Sequence, residues 1–61
     1  MTVSEMIRKI KKQGCKFLRP GSRHDIWINP KNGQTTEIPR HQSKELGTGL
    51  ANRILSDLGL K

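Results

Sequence analysis

Glycine and proline punctuate the middle of this chain so closely that only short extended segments fit between them. Gly14, Pro20-Gly21-Ser22, Pro30-Lys31-Asn32-Gly33 and Pro39 separate residues 15–19, 23–29 and 34–38. The punctuating residues are turn formers for distinct reasons: glycine admits positive φ, proline presets φ, and Asn and Ser bond their own backbone. Thr35, Thr36 and Ile38 are β-branched and suit a strand, and Pro39 closes it by offering no ladder donor. Three short strands joined by tight turns are expected, with 30–33 as a hairpin turn.

Helical spacing flanks this stretch on both sides. Thr2-Val3-Ser4-Glu5 has the capping-box spacing. Val3, Met6, Ile7 and Ile10 then recur on one helical face, with Arg8, Lys9, Lys11 and Lys12 mostly opposite. Gly14 supplies a left-handed stop. Its basic amphipathic character would also suit a membrane surface, but the apolar face is narrow and the domain needs it for a core. A second helix is expected from about Thr48, with Leu50, Ala51, Ile54, Leu55 and Leu58 on its apolar side and Gly59-Leu60 as its cap. Residues 40–47 read as a polar connection. The order is helix, three antiparallel strands, helix, an α+β arrangement. Both helices lie on one face of a three-stranded sheet, the other face being left to solvent.

Sixty-one residues make one small domain whose core uses nearly all its apolar side chains. An enclosed substrate pocket is not expected; a shallow groove or an open face is. The charge is +7, from twelve Lys and Arg against five Asp and Glu. Arg8, Lys9, Lys11, Lys12, Lys16, Arg19 and Arg23 follow one another with no acid between them. Such a run attracts a phosphate backbone, an anionic membrane or an acidic protein, and is the footprint expected of a nucleic-acid binder. Cys15 is the single cysteine, so neither an internal disulfide nor a cysteine-based zinc site can form; it reads as a small buried hydrophobe. The N-terminal segment lacks the continuous apolar run of a signal peptide, and nothing approaches the ~20 apolar residues of a membrane span. A reducing cytoplasm is the expected compartment.

Within this frame Gly21-Ser22-Arg23-His24 places an imidazole at the mouth of the middle strand. With an unperturbed pKa of ~6.5, histidine can take or give a proton near neutrality. The plainer alternative is a strand-end residue bonded to backbone. Parity groups His24 with Ile26 and Ile28, and Asp25 with Trp27 and Asn29. If the isoleucines pack under the helices, His24 lies at the core's rim. Trp27 then lies on the open face, positioned to stack on a base or anchor a partner; with parity reversed it is core. His41 is either a second proton-transfer group, a phosphate contact or an exposed loop residue. No metal-ligand spacing occurs.

These residues in this order resemble the HicA, or YcfA-like, toxins of type II toxin–antitoxin systems. The resemblance spans essentially residues 1–61 as a single HicA-like toxin domain. It rests on Gln13-Gly14 ending the first helix, Gly21-Ser22-Arg23-His24, Ile38-Pro39-Arg40-His41, Arg53-Ile54-Leu55 and Leu58-Gly59-Leu60. It implies a double-stranded-RNA-binding-domain-like fold and a metal-independent, cofactor-free mRNA endoribonuclease that arrests translation. It also implies a HicB-type antitoxin as partner, through which alone operator DNA is met, and no membrane partner. The histidine of the motif is the catalytic one in that family, which is His24 here. Many relatives carry a second histidine just before it; this chain has Arg23. The expected RNA contacts are Gly21, Ser22, Arg23, Lys12, Lys16, Arg19, Arg40 and His41. A non-catalytic RNA-binding module is the main alternative, and a DNA-associated partner protein the third.

Overall fold

A computed structural model describes residues Met1–Lys61. Helix α1 is Val3–Lys12, strands β1, β2 and β3 are Lys16–Pro20, His24–Asn29 and Gln34–Pro39, and helix α2 is Thr48–Asp57. The sheet is antiparallel in the order β1-β2-β3. Each strand lies within one residue of its expected bounds. No helix is long and apolar enough to cross a membrane.

The capping box forms as its spacing demands. The Glu5 N–H donates to Thr2 Oγ1 at 3.3 Å, and the Thr2 N–H donates to Glu5 Oε1 at 2.7 Å. The two remaining orphan N–H groups of the first turn are met from the 40–47 connection: Val3 N donates to the Lys44 carbonyl at 2.9 Å and Ser4 N to the Gln42 carbonyl at 3.0 Å. That connection is therefore no free loop. It lies across the start of α1 and buries Leu46 in the core, which the reading of residues 40–47 as polar missed. At the far end Gly14 takes φ +93°. Its N–H reaches the Lys11 carbonyl while Cys15 N reaches that of Ile10, both at 3.0 Å. This pairing is a Schellman stop, and it delivers Cys15 into the core. Gly59 and Leu60 repeat the pattern on the Ser56 and Leu55 carbonyls.

Hydrogen bonds from Thr2, the backbone N–H first and the hydroxyl second, hold the Glu5 carboxyl below its ordinary value of 4.5. A carboxylate lowered in the folded state contributes stability above its unfolded pKa and loses it as pH falls through the folded one. Glu5→Gln is therefore expected to melt below wild type at about pH 7, with the gap closing towards about pH 3. Parallel thermal melts across that range check it; a gap that stays constant would leave the carboxylate without a role.

The core joins Val3, Met6 and Ile10 of α1 to Trp27 of β2, Ile38 of β3, Leu46, Ile54 of α2 and Leu58 just after it, with Cys15. Both helices thus cover the same sheet face, as expected, but that face is the one bearing Trp27. Trp27 is 6% exposed, whereas Ile26 and Ile28 are only half-buried on the open side. The parity taken for β2 is reversed, and the reason is legible in the bonds. The polar residues on the Trp27 side are ties. Asn29 Nδ2 donates to the Leu58 carbonyl at 2.9 Å, Thr36 Oγ1 donates to Asp57 Oδ2 at 3.0 Å, and Asp25 accepts from Arg40. The single indole is buried in the core between the sheet and the helices. Phe17 meets it edge-to-face at 5.9 Å, and Lys11 Nζ stands 5.7 Å from its ring centre.

Candidate RNA-cleavage site on the open sheet face

Residues paired directly across an antiparallel ladder project to the same face. His24 pairs with Pro39, Ile26 with Glu37 and Ile28 with Thr35, so these six form the face turned away from the helices. On the other side of β2, Phe17 pairs with Trp27, yet Arg19 pairs with Ile26, the register slipping at Leu18. This is a β-bulge, in which two residues of one strand oppose one of the other. Its effect is directional. In a regular strand Phe17 and Arg19 would share a face; the bulge leaves Phe17 against Trp27 and turns Arg19 to the His24 side. Lys16, opposite Ile28, faces that side too.

A groove of about 360 Å³ runs from this face around β3 to α2. It lies at the small end of the range for small-ligand sites. Arg19 and His24 stand at one side, Ile26, Glu37 and Pro39 along the floor, and Leu50, Arg53 and Asp57 of α2 opposite. Arg53 lies 4.0 Å from Asp57 one helical turn on, and Asp57 also accepts from Thr36. Leu50, expected in the core, is 39% exposed and serves as groove wall instead.

The turn that carries His24 is tightly closed. Gly21 N donates to the His24 carbonyl at 2.7 Å. A Cβ at position 21 would lie 2.5 Å from that same carbonyl oxygen, which is backbone and cannot step aside. Gly21→Ala is accordingly expected to cost about 1–3 kcal/mol, as overpacking does, and to displace His24. A urea melt together with a cleavage assay checks both effects; a stable, fully active variant would show that the turn tolerates opening.

The expected site residues are not all brought together. Arg19 and His24 share the groove, Lys16 lies on the same face, and Gly21, Ser22 and Arg23 form the turn at its edge. Lys12 ends α1 on the helical side of the sheet. His41 is exposed in the 40–47 connection and does not line the groove. The Arg40 guanidinium is engaged: Nε donates to Asp25 Oδ1 at 2.9 Å and Nη2 donates to the Gly21 carbonyl. Glu37, Leu50 and Asp57 enter from no motif. Arg53 stood in one, without a role.

A small basic α+β domain with two helices behind a three-stranded sheet, and an imidazole and cations before it, belongs to the double-stranded-RNA-binding type of architecture. Residues 3–60 match the family described as HicA toxin of bacterial toxin–antitoxin. The chain is 40% identical over 62 aligned positions to the probable mRNA interferase HicA of Pseudomonas fluorescens (strain Pf0-1), covering 100% of this chain and 98% of that one. It is 39% identical to the probable mRNA interferase HicA 2 of Photorhabdus laumondii subsp. laumondii, each covered in full (100%). The crystal structure of the E. coli HicAB toxin–antitoxin complex contains a chain that superposes with a TM-score of 0.81 at 33% identity, over 95% of this chain and 96% of that one. The protein belongs to the HicA toxin family.

Proposed function

We propose that these 61 residues act as one toxin domain, an mRNA endoribonuclease that arrests translation and growth until a HicB-type antitoxin covers its open face. One observation carries the reading: His24 faces a cation-bearing groove, at a sharp turn, in a chain whose relatives are named probable mRNA interferases. RNA supplies its own nucleophile. A base removes the 2′-hydroxyl proton, the 2′-oxygen attacks the adjacent phosphorus, and the 5′-oxygen leaves with a proton from an acid. His24 performs one of these transfers. Water can perform the other, at a slow turnover that a growth-arresting toxin tolerates. Arg19 and Arg53 offset charge on the pentacoordinate phosphorus. Lys16, Ser22 and Arg23 hold the flanking strand by its phosphates, without reading sequence.

The reaction as written needs no metal, and the cytoplasm, where transcripts are translated, is its setting. Ile26 and Ile28, half-exposed beside His24, give an antitoxin apolar surface with which to cover the imidazole. Operator DNA is met only through that complex. The test is incubation of the purified protein with messenger RNA in excess chelator. Fragments are expected from wild type, and none at comparable rate from His24→Ala. Binding without fragments would leave the non-catalytic module as the answer.

A further inference from the structure

We propose that Arg40 is a positioning residue: its guanidinium latches the turn that presents His24, and its effect on cleavage is exerted through Asp25 and Gly21 rather than through a phosphate. The inference rests on the ribonuclease reading above. Pro39, opposite His24 on β3, has no N–H to give the sheet ladder. Pairing between the two strands ends at this residue pair, and the next residue extends the tie between them through its side chain. Nε of Arg40 donates to Asp25 Oδ1 at 2.9 Å, and Nη2 to the carbonyl of Gly21. These two acceptors flank Ser22-Arg23-His24. One rigid fork thus ties both ends of the segment to the end of β3, while Gly21 N closes it from within on the His24 carbonyl at 2.7 Å. The planar guanidinium has two donor directions to give at once; a lysine ammonium of the same charge does not reproduce that fork.

Exposure decides where the effect appears. The Arg40 and Asp25 side chains are 46% and 28% exposed, and ion pairs in such settings add little to global stability. The latch fixes local geometry, and misplacing a catalytic group by about 1 Å can cost about 100-fold in rate.

The experiment is a double-mutant cycle on Arg40→Gln and Asp25→Asn, with Arg40→Lys alongside. It reads kcat, RNA affinity across a salt series, and thermal midpoint. Arg40→Gln and Asp25→Asn are each expected to lower kcat by about 10–100-fold, and the double variant by no more than the worse single one. Arg40→Lys should also fall, since charge without the fork does not latch. The slope of log affinity on log salt should stay at its wild-type value. A phosphate contact predicts the reverse: a slope smaller by about 0.7 for Arg40→Gln, activity retained in Arg40→Lys, and no kcat loss in Asp25→Asn. That result, or unchanged kcat in both single variants, overturns the proposal. Should Arg40→Gln fail to fold, the near-isosteric Asp25→Asn still decides. Wild type that does not cut RNA would sink the ribonuclease reading itself, an outcome visible before any variant is made.

Discussion

His24→Ala is expected to lower kcat for RNA cleavage by about 10²–10⁴-fold, the usual contribution of a positioned acid or base. At 1.36 kcal/mol per decade this is about 2.7–5.4 kcal/mol of transition-state stabilisation. The loss should fall on kcat, with KM little moved. In the proposed mechanism phosphates are held by Lys16, Arg19 and Arg23, which the substitution leaves in place, and a proton transfer is used only in the transition state. The fold should survive. His24 is half-exposed on the open sheet face and lies outside the buried core, and its carbonyl, not its ring, closes the turn. Far-UV circular dichroism and thermal midpoint should therefore match wild type. Single-turnover cleavage of a defined RNA in chelator is the deciding measurement. A variant that cuts at the parental rate would remove histidine chemistry from the mechanism; one that binds RNA far more weakly would recast His24 as a contact residue.

What the sequence could and could not disclose follows the range of the forces involved. The capping box and the two glycine stops are hydrogen bonds within five residues, so Thr2-Glu5, Gly14 and Gly59-Leu60 announced those helix ends, and the turn residues placed the strands almost to the residue. The facing of β2 was not local. Ile26-Trp27-Ile28 is apolar on both parities, and the polar neighbours that would break the tie point inward to serve Leu58 and Arg40. Nor was the bulge at Leu18, which exists only in relation to the partner strand. Because it turns Arg19 to the imidazole side, part of the proposed site was hidden with it. The turn and the family resemblance singled out His24 as the candidate, and it lines the groove. The α2 wall of the groove was not, since it depends on how that helix seats along β3. The second histidine illustrates the converse: His41 is near in motif but stays outside the groove.

Trp27→Ala should remove much of the molecule's stability. The cost of such truncations is about 3–5 kcal/mol, the lost transfer energy adding to that of the cavity. At about 0.05–0.15 kcal/mol per residue, a chain of 61 residues has about 3–9 kcal/mol in hand. The indole is the largest group under the helices, so no neighbour can fill its place. Its loss also removes the edge-to-face contact with Phe17 and the Lys11 ammonium's ring partner. Trp27→Phe provides the control. It keeps an aromatic ring opposite Phe17 and deletes the indole N–H, which is buried without a partner and is therefore a liability of about 1–3 kcal/mol. Phenylalanine should consequently cost much less than alanine. The order expected in urea is wild type near Phe, with Ala far below, followed by circular dichroism because the only tryptophan is the residue being replaced. If Trp27→Ala instead keeps a wild-type midpoint and loses only binding of an antitoxin or RNA, the indole is a surface anchor. The core drawn around it would then be wrong, and so would the assignment of His24 to the open face, since both depend on the same strand parity.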